Sequence, residues 1–385
     1  MTTLFLHVGM HKTGSTAFQH WLAVNAHALE AAGLAVPRLP EENHSYLLRS
    51  AFHPAGPSYA ENLRHAGIAR YAQDLDALVG RLDRFLGGAA AAGRDAILSG
   101  EEASLLGEEG YRRLAAFAGR HFDRIVVLGL VRPPLSFAAS ASQQRLRLGR
   151  TLPDLLERPP VPRYRQRFAP AIAVFGRENV RLAPYRPATL ENGSVVDTLL
   201  AMAGRTRPPG TRDTPAARNE SVSLTAGKLL AVLNACTRVP LGESGLPEPV
   251  RRRLARGPVA RRIARAAASG ADRVVWRGED RRLLFTVPGP PFAPPREVTA
   301  AVEAASRADR AFMSDLLGVD LAALDDPRDP ACDAAAFRRF EPDEVERIVR
   351  HLQAEAGPPA VRAVRRFLAR RRVPRVRRAA NAGRP

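Results

Sequence analysis

The chain of 385 residues is 45% hydrophobic and 25% charged, which is enough apolar material for a large core without disulfide or metal staples. Its two cysteines, Cys236 and Cys332, stand far apart in no ligand or redox spacing, which argues against a disulfide framework or a zinc site and fits a reducing compartment. The formal net charge of +19 points to a whole-surface polyanion binder only until it is located. Arg251–Arg265 carries seven arginines and no acid, Val361–Pro385 carries ten and no acid, and the remainder is close to neutral.

The opening MTTLFLHVGMHKTGST has no basic leader and no small-residue cleavage site, so it reads as a strand running into a glycine-rich turn rather than a signal peptide. No apolar run approaches the ~20 residues that span a bilayer. A soluble, cytoplasmic protein is expected.

In chain order, short apolar stretches predict strands at Thr3–Val8, Leu34–Val36, Asp95–Ser99, Arg124–Val131 and Val180–Pro184. Between them, helical patterning covers Ser15–Ala32, a face traced by Leu75, Leu78, Val79, Leu82, Phe85 and Leu86, and Pro134–Leu148. This alternation predicts a parallel α/β sheet flanked by helices. Residues 205–220 and 237–300 lose the rhythm and read as linker and irregular insertion. Helices return at Glu297–Leu317 and Glu341–Leu352, ahead of the basic tail. The expected divisions are 1–205 for the core, 206–300 for the linker and Arg/Pro-rich insertion, 301–355 for C-terminal helices and 356–385 for the tail.

The first strand runs through Gly9-Met10-His11-Lys12-Thr13-Gly14-Ser15-Thr16 into a helix, the context that a phosphate cradle requires. Gly9 and Gly14 allow tight turns, so that backbone N–H groups converge on an anion. Ser15 and Thr16 add hydroxyls. Lys12 supplies a mobile point charge, and it is one of only two lysines, with Lys228, among 58 basic residues. A Walker A loop places lysine directly after its second glycine. Here Lys12 precedes Gly14, and no apolar strand ends in an aspartate to hold magnesium, so a small-molecule kinase is the second reading.

Arg132 ends the fourth strand, and Ser140 lies eight residues later in a proline-started helix, a pairing able to hold a second phosphate by a charged fork and a hydroxyl. Ala96–Glu102 is a strand ending in carboxylates, of which Glu101, with Glu102 as its neighbour, could take a proton from a hydroxyl. His7, His11 and His20 lie near the loop without metal-ligand spacing and read as packing residues.

HVGMHKTGST together with LVRPPLSFAAS resembles the nucleotide-binding pair of sulfotransferases that use 3'-phosphoadenylyl sulfate (PAPS), and ILSGEE is similar to the strand end where bacterial and carbohydrate-type members carry a glutamate base. The resemblance implies a P-loop-type fold and sulfuryl transfer to an unidentified hydroxyl without a metal. By it, Lys12, Thr13, Gly14, Ser15 and Thr16 hold the 5'-phosphosulfate, Arg132 and Ser140 hold the 3'-phosphate, and Lys12 and Glu101 are catalytic. Weaker similarity continues through Phe175-Gly176, Asn179-Val180, Tyr185 and Arg218-Asn219-Glu220-Ser221. Two features of cytosolic members are missing: Ala17 stands where they carry an adenine-stacking tryptophan, with Trp21 a turn later, and their late Arg-Lys-Gly segment is absent. A third reading is a polyanion or membrane-surface binder acting through Arg251–Arg265 and the tail. The acceptor side is sought in the loops at 40–70 and 145–170 and in the 206–300 insertion.

Overall fold

The computed structural model describes residues 1–10, 12–56, 58–59, 75–214, 221–255, 257–325 and 332–355. The chain forms an α/β protein around a five-stranded, wholly parallel sheet of β1 (Thr3–His7), β2 (Leu34–Ala35), β3 (Asp95–Ser99), β4 (Arg124–Val131) and β5 (Val180–Pro184), in the order β2-β3-β1-β4-β5. The labelled helices are α1 (Ser15–Val24), α2 (Ser45–Phe52), α3 (Leu75–Ala91), α4 (Gly107–Ala118), α5 (Pro134–Arg147), α6 (Tyr164–Phe175), α7 (Val195–Met202), α8 (Leu224–Asn234), α9 (Glu248–Leu254), α10 (Pro258–Ala268), α11 (Arg296–Leu317) and α12 (Pro342–Glu355).

Successive side chains of a strand point to opposite faces, so a sheet covered on both sides needs apolar residues at nearly every position. The central strands meet that demand. Leu4, Leu6, Ala96, Leu98 and Val127 join one buried cluster, while Phe5, Ile97, Val126, Leu128 and Leu130 join the other. β1 lies between β3 and β4, pairing His7 with Ser99 on one side and with Leu128 on the other. Because all strands run the same way, the segments after β1, β3 and β4 emerge at one edge.

Two sequence expectations are corrected. The helix expected over Ser15–Ala32 breaks at Asn25 (φ −103°, ψ 11°) and restarts as Ala26–Ala31. Asn25 donates from Nδ2 to the Trp21 carbonyl at 2.9 Å and accepts at Oδ1 from the Arg212 amide at 2.7 Å, so its side chain competes with the helical ladder. Residues 237–300, expected to be irregular, hold three short helices: α9, α10 and Glu279–Phe285. Pro249 and Pro258 lie in first turns, where a missing N–H costs nothing, so proline density there marks helix starts.

The described residues fall into two compact units. One contains the described residues within 1–142, 155–214 and 293–325, including the whole sheet, and the other those within 143–154, 221–292 and 332–355. In the second unit, α8 is buried along its whole length, and Lys228 Nζ forms a salt bridge with Glu344 of α12, whose carboxylate also accepts from Thr225. Asn234 donates to the Leu146 and Arg150 carbonyls at 2.8 and 2.7 Å and accepts from Trp276 Nε1 at 2.8 Å. The basic segment 361–385 lies outside the described residues.

Lys228 and Glu344 have side chains 8% and 9% exposed, so removing one partner strands a charge in the interior. Lys228→Met is expected to cost about 3–5 kcal/mol in urea unfolding, most of it regained in the Lys228→Met/Glu344→Gln double variant.

Candidate functional site

The turn after β1 is bent by two left-handed residues, Lys12 (φ 68°) and Gly14 (φ 82°). Gly14 begins α1, its carbonyl accepting from the Ala17 and Phe18 amides at 3.0 and 3.2 Å, and no side chain caps this N-terminus. A non-glycine residue in the left-handed region costs on the order of 1 kcal/mol, so Lys12 needs outside support. Two contacts provide it. Thr13, fully buried, donates from Oγ1 to the Met10 carbonyl at 2.6 Å, and Arg132 donates from Nη1 to the Lys12 carbonyl at 2.7 Å.

Gly9 is required by close approach. A Cβ there would lie 2.8 Å from both His7 Nε2 and Ser15 Oγ. Both of these atoms are buried without a hydrogen-bond partner among the described residues. Burial holds His7 neutral, with its pKa lowered to about 3, and its Nδ1 pairs with Ser99 Oγ at 2.8 Å. The loop therefore has a polar interior and an uncapped helix start, a donor set that suits an anion. Thr16 follows Ser15 on the first turn of α1.

The segment after β3 brings Glu101 and Glu102 to the same edge, where Gly100 N donates to the His7 carbonyl at 3.0 Å. The two carboxylates have different surroundings. Glu102 accepts from Arg49 Nη1 and Tyr59 OH, both at 2.7 Å, and its amide donates to Ser45 Oγ. Glu101 is pushed up to about 7 by burial, against the pull of Lys12 and, more weakly, of the buried Arg167. Lys12 is thus near enough to Glu101 to bias its protonation. His44, on the other flank of β3, accepts at Nδ1 from the Ser99 amide at 3.1 Å and is held neutral by burial, with its pKa lowered to about 4.

Arg132 also donates from Nε to Ser136 Oγ at 3.1 Å, and its guanidinium lies over the Tyr185 ring at 5.6 Å. Ser140 is half-buried one turn beyond Ser136 on the same face of α5. The amides at the start of α5 are already taken: Asp325 accepts from Leu135 N at 2.6 Å and Ser136 N at 3.0 Å, with the charges of Arg186 and Arg132 close by. An internal carboxylate therefore stands at this helix N-terminus.

The structure thus gathers Lys12, Thr13, Gly14, Ser15, Thr16, Glu101 and Arg132 at one sheet edge, with Ser140 nearly two turns into α5. His11 and residues 218–220 lie outside the described residues. Trp21 is core, 1% exposed, and offers no face for stacking a base. Sequence reasoning missed Arg49, Tyr59, His44, Arg167 and Asp325, none of which lies in a local motif. Among the described residues, no cluster of His, Cys, Asp or Glu could hold a metal. No protein-family model, curated protein or solved structure matches this chain.

For a carboxyl group whose pKa is raised on folding, the folded state binds the proton more tightly than the unfolded state does. The cost is absent below pH 4.5, grows as pH rises and is complete above about 7. Glu101→Gln should therefore match the parent chain at pH 4 and exceed its stability by on the order of 2 kcal/mol at pH 8, measured by denaturant unfolding at both pH values.

Proposed function

We propose that the chain is a sulfotransferase of P-loop type that moves a sulfuryl group from PAPS to a hydroxyl of an acceptor. The observation that carries this reading is the 2.7 Å contact of Arg132 with the Lys12 carbonyl, which brings together two motifs 120 residues apart. In this reading the uncapped start of α1 and residues Thr13–Thr16 hold the 5'-phosphosulfate. Since Asp325 holds the amides of Leu135 and Ser136, the 3'-phosphate falls to Arg132 and the Ser140 hydroxyl.

The acceptor oxygen attacks sulfur, the bond from sulfur to the bridging phosphate oxygen breaks, and adenosine 3',5'-bisphosphate leaves. Lys12 stabilises the charge that builds on that bridging oxygen. Glu101 takes the acceptor proton, and a carboxyl group pushed up to about 7 is well matched to do so near neutral pH. The engagement of Glu102 with Arg49 and Tyr59 favours Glu101 over its neighbour as base.

Lys12→Met should lower turnover by ~10²–10³-fold, measured as conversion of PAPS to the bisphosphate in the presence of a host extract that supplies the acceptor. In a thermal-shift comparison PAPS should stabilise the chain more than ATP with magnesium. The reverse order contradicts the reading and favours the kinase, whereas full turnover by Lys12→Met contradicts the role given to Lys12.

A further inference from the structure

The second unit contains a surface groove of about 540 Å³ that the site above does not use, between the turn at 236–242 and the helices α9 and α10. Its floor and walls are apolar: Val239, Leu241, Ile263 and Ala264 line it, with Val239 left 39% exposed. The Cys236 thiol is pushed up to about 11 by burial, so it contributes as apolar lining rather than as a nucleophile. Three polar side chains, Thr237, Arg238 and Arg251, interrupt this surface. Thr237 Oγ1 is buried with no hydrogen-bond partner among the described residues, and Arg251 is half-buried at the lining of the groove.

The charge around the groove is mainly positive, although Glu243 follows the lining residue Gly242. Arg252 pairs with Glu248 at 2.5 Å and Arg262 pairs with Asp280. Arg251, Arg253, Arg261 and Arg265 have no carboxylate within 4 Å among the described residues, and Arg238, also lining the groove, has Asp154 near it. A cleft of this size, apolar along its length with a few converging polar groups, has the make-up of a small-molecule site. The excess of guanidinium selects for negative charge on what enters it.

We infer that this groove binds a single-chain anionic amphiphile, with its hydrocarbon along Val239, Leu241 and Ile263 and its acidic headgroup on Arg251. A purely polyanionic ligand would leave the apolar walls uncovered, and a neutral lipid would leave the arginines unanswered. The inference is independent of the reading of the first unit.

The test is calorimetric titration of the full chain with dodecyl phosphate below its micellar concentration, beside dodecanol and inorganic phosphate. Dodecyl phosphate should bind one to one, with dodecanol markedly weaker and inorganic phosphate undetectable. Arg251→Ala should weaken binding ~10-fold, the loss expected for one charge-assisted contact. Ala264→Trp, placed at an exposed position that fills the groove, should abolish binding without shifting the thermal melt. Absence of binding by the parent chain overturns the inference. So does undiminished binding by both variants, which would place the amphiphile on basic residues elsewhere.

Discussion

One hydrogen bond organises the candidate site: the guanidinium of Arg132, at the end of β4, holds the carbonyl of Lys12 in the turn after β1. That carbonyl belongs to a residue with a left-handed backbone, a conformation the rest of the chain must enforce. With the carbonyl engaged, the turn reaches α1 through Gly14, and the ammonium of Lys12 comes within electrostatic range of Glu101. The sheet makes this possible, because parallel neighbours β3 and β4 deliver their following segments to the same edge as β1. Glycine at position 9 completes the arrangement by keeping side-chain bulk away from His7 and Ser15.

Burial explains the chemistry that the two adjacent glutamates divide between them. Glu102 is answered by a guanidinium and a phenol, so its charge is compensated and its role is to tie α2 to the segment after β3. Glu101 is screened from water with less direct compensation, and its proton is held to near neutrality. Asp325 shows the same logic at the start of α5, where a carboxylate satisfies two amides beside two arginines. Any phosphate that binds there must share the positive field of Arg132 and Arg186 with it.

The strands were legible because each is short, largely apolar and bounded by turn residues, and all five fall within one residue of their expected bounds. The break at Asn25 was not legible, since the partner that captures its side chain, Arg212, is 187 residues away. Proline density hid the helices of 237–300 because proline at a helix start and proline in a loop look alike in composition. In the site, Gly9–Thr16 and Arg132 could be read because strand, turn and helix are contiguous. Asp325, Arg49 and Tyr59 act across long separations and left no local signal. The rarity of lysine was an ambiguous sign: it drew attention to Lys12, yet it applies equally to Lys228, which lies in a buried ion pair of the second unit.

In the proposed sulfotransferase, Arg132 serves the loop and a second phosphate at once. The most direct measurement compares the affinities of adenosine 3',5'-bisphosphate and adenosine 5'-phosphate, by calorimetry, for the parent chain and for Arg132→Ala. The account predicts that the parent prefers the bisphosphate by about tenfold or more, the worth of one charge-assisted phosphate contact, and that the variant loses this preference. Equal affinities in the parent, or an unchanged preference in the variant, would contradict it.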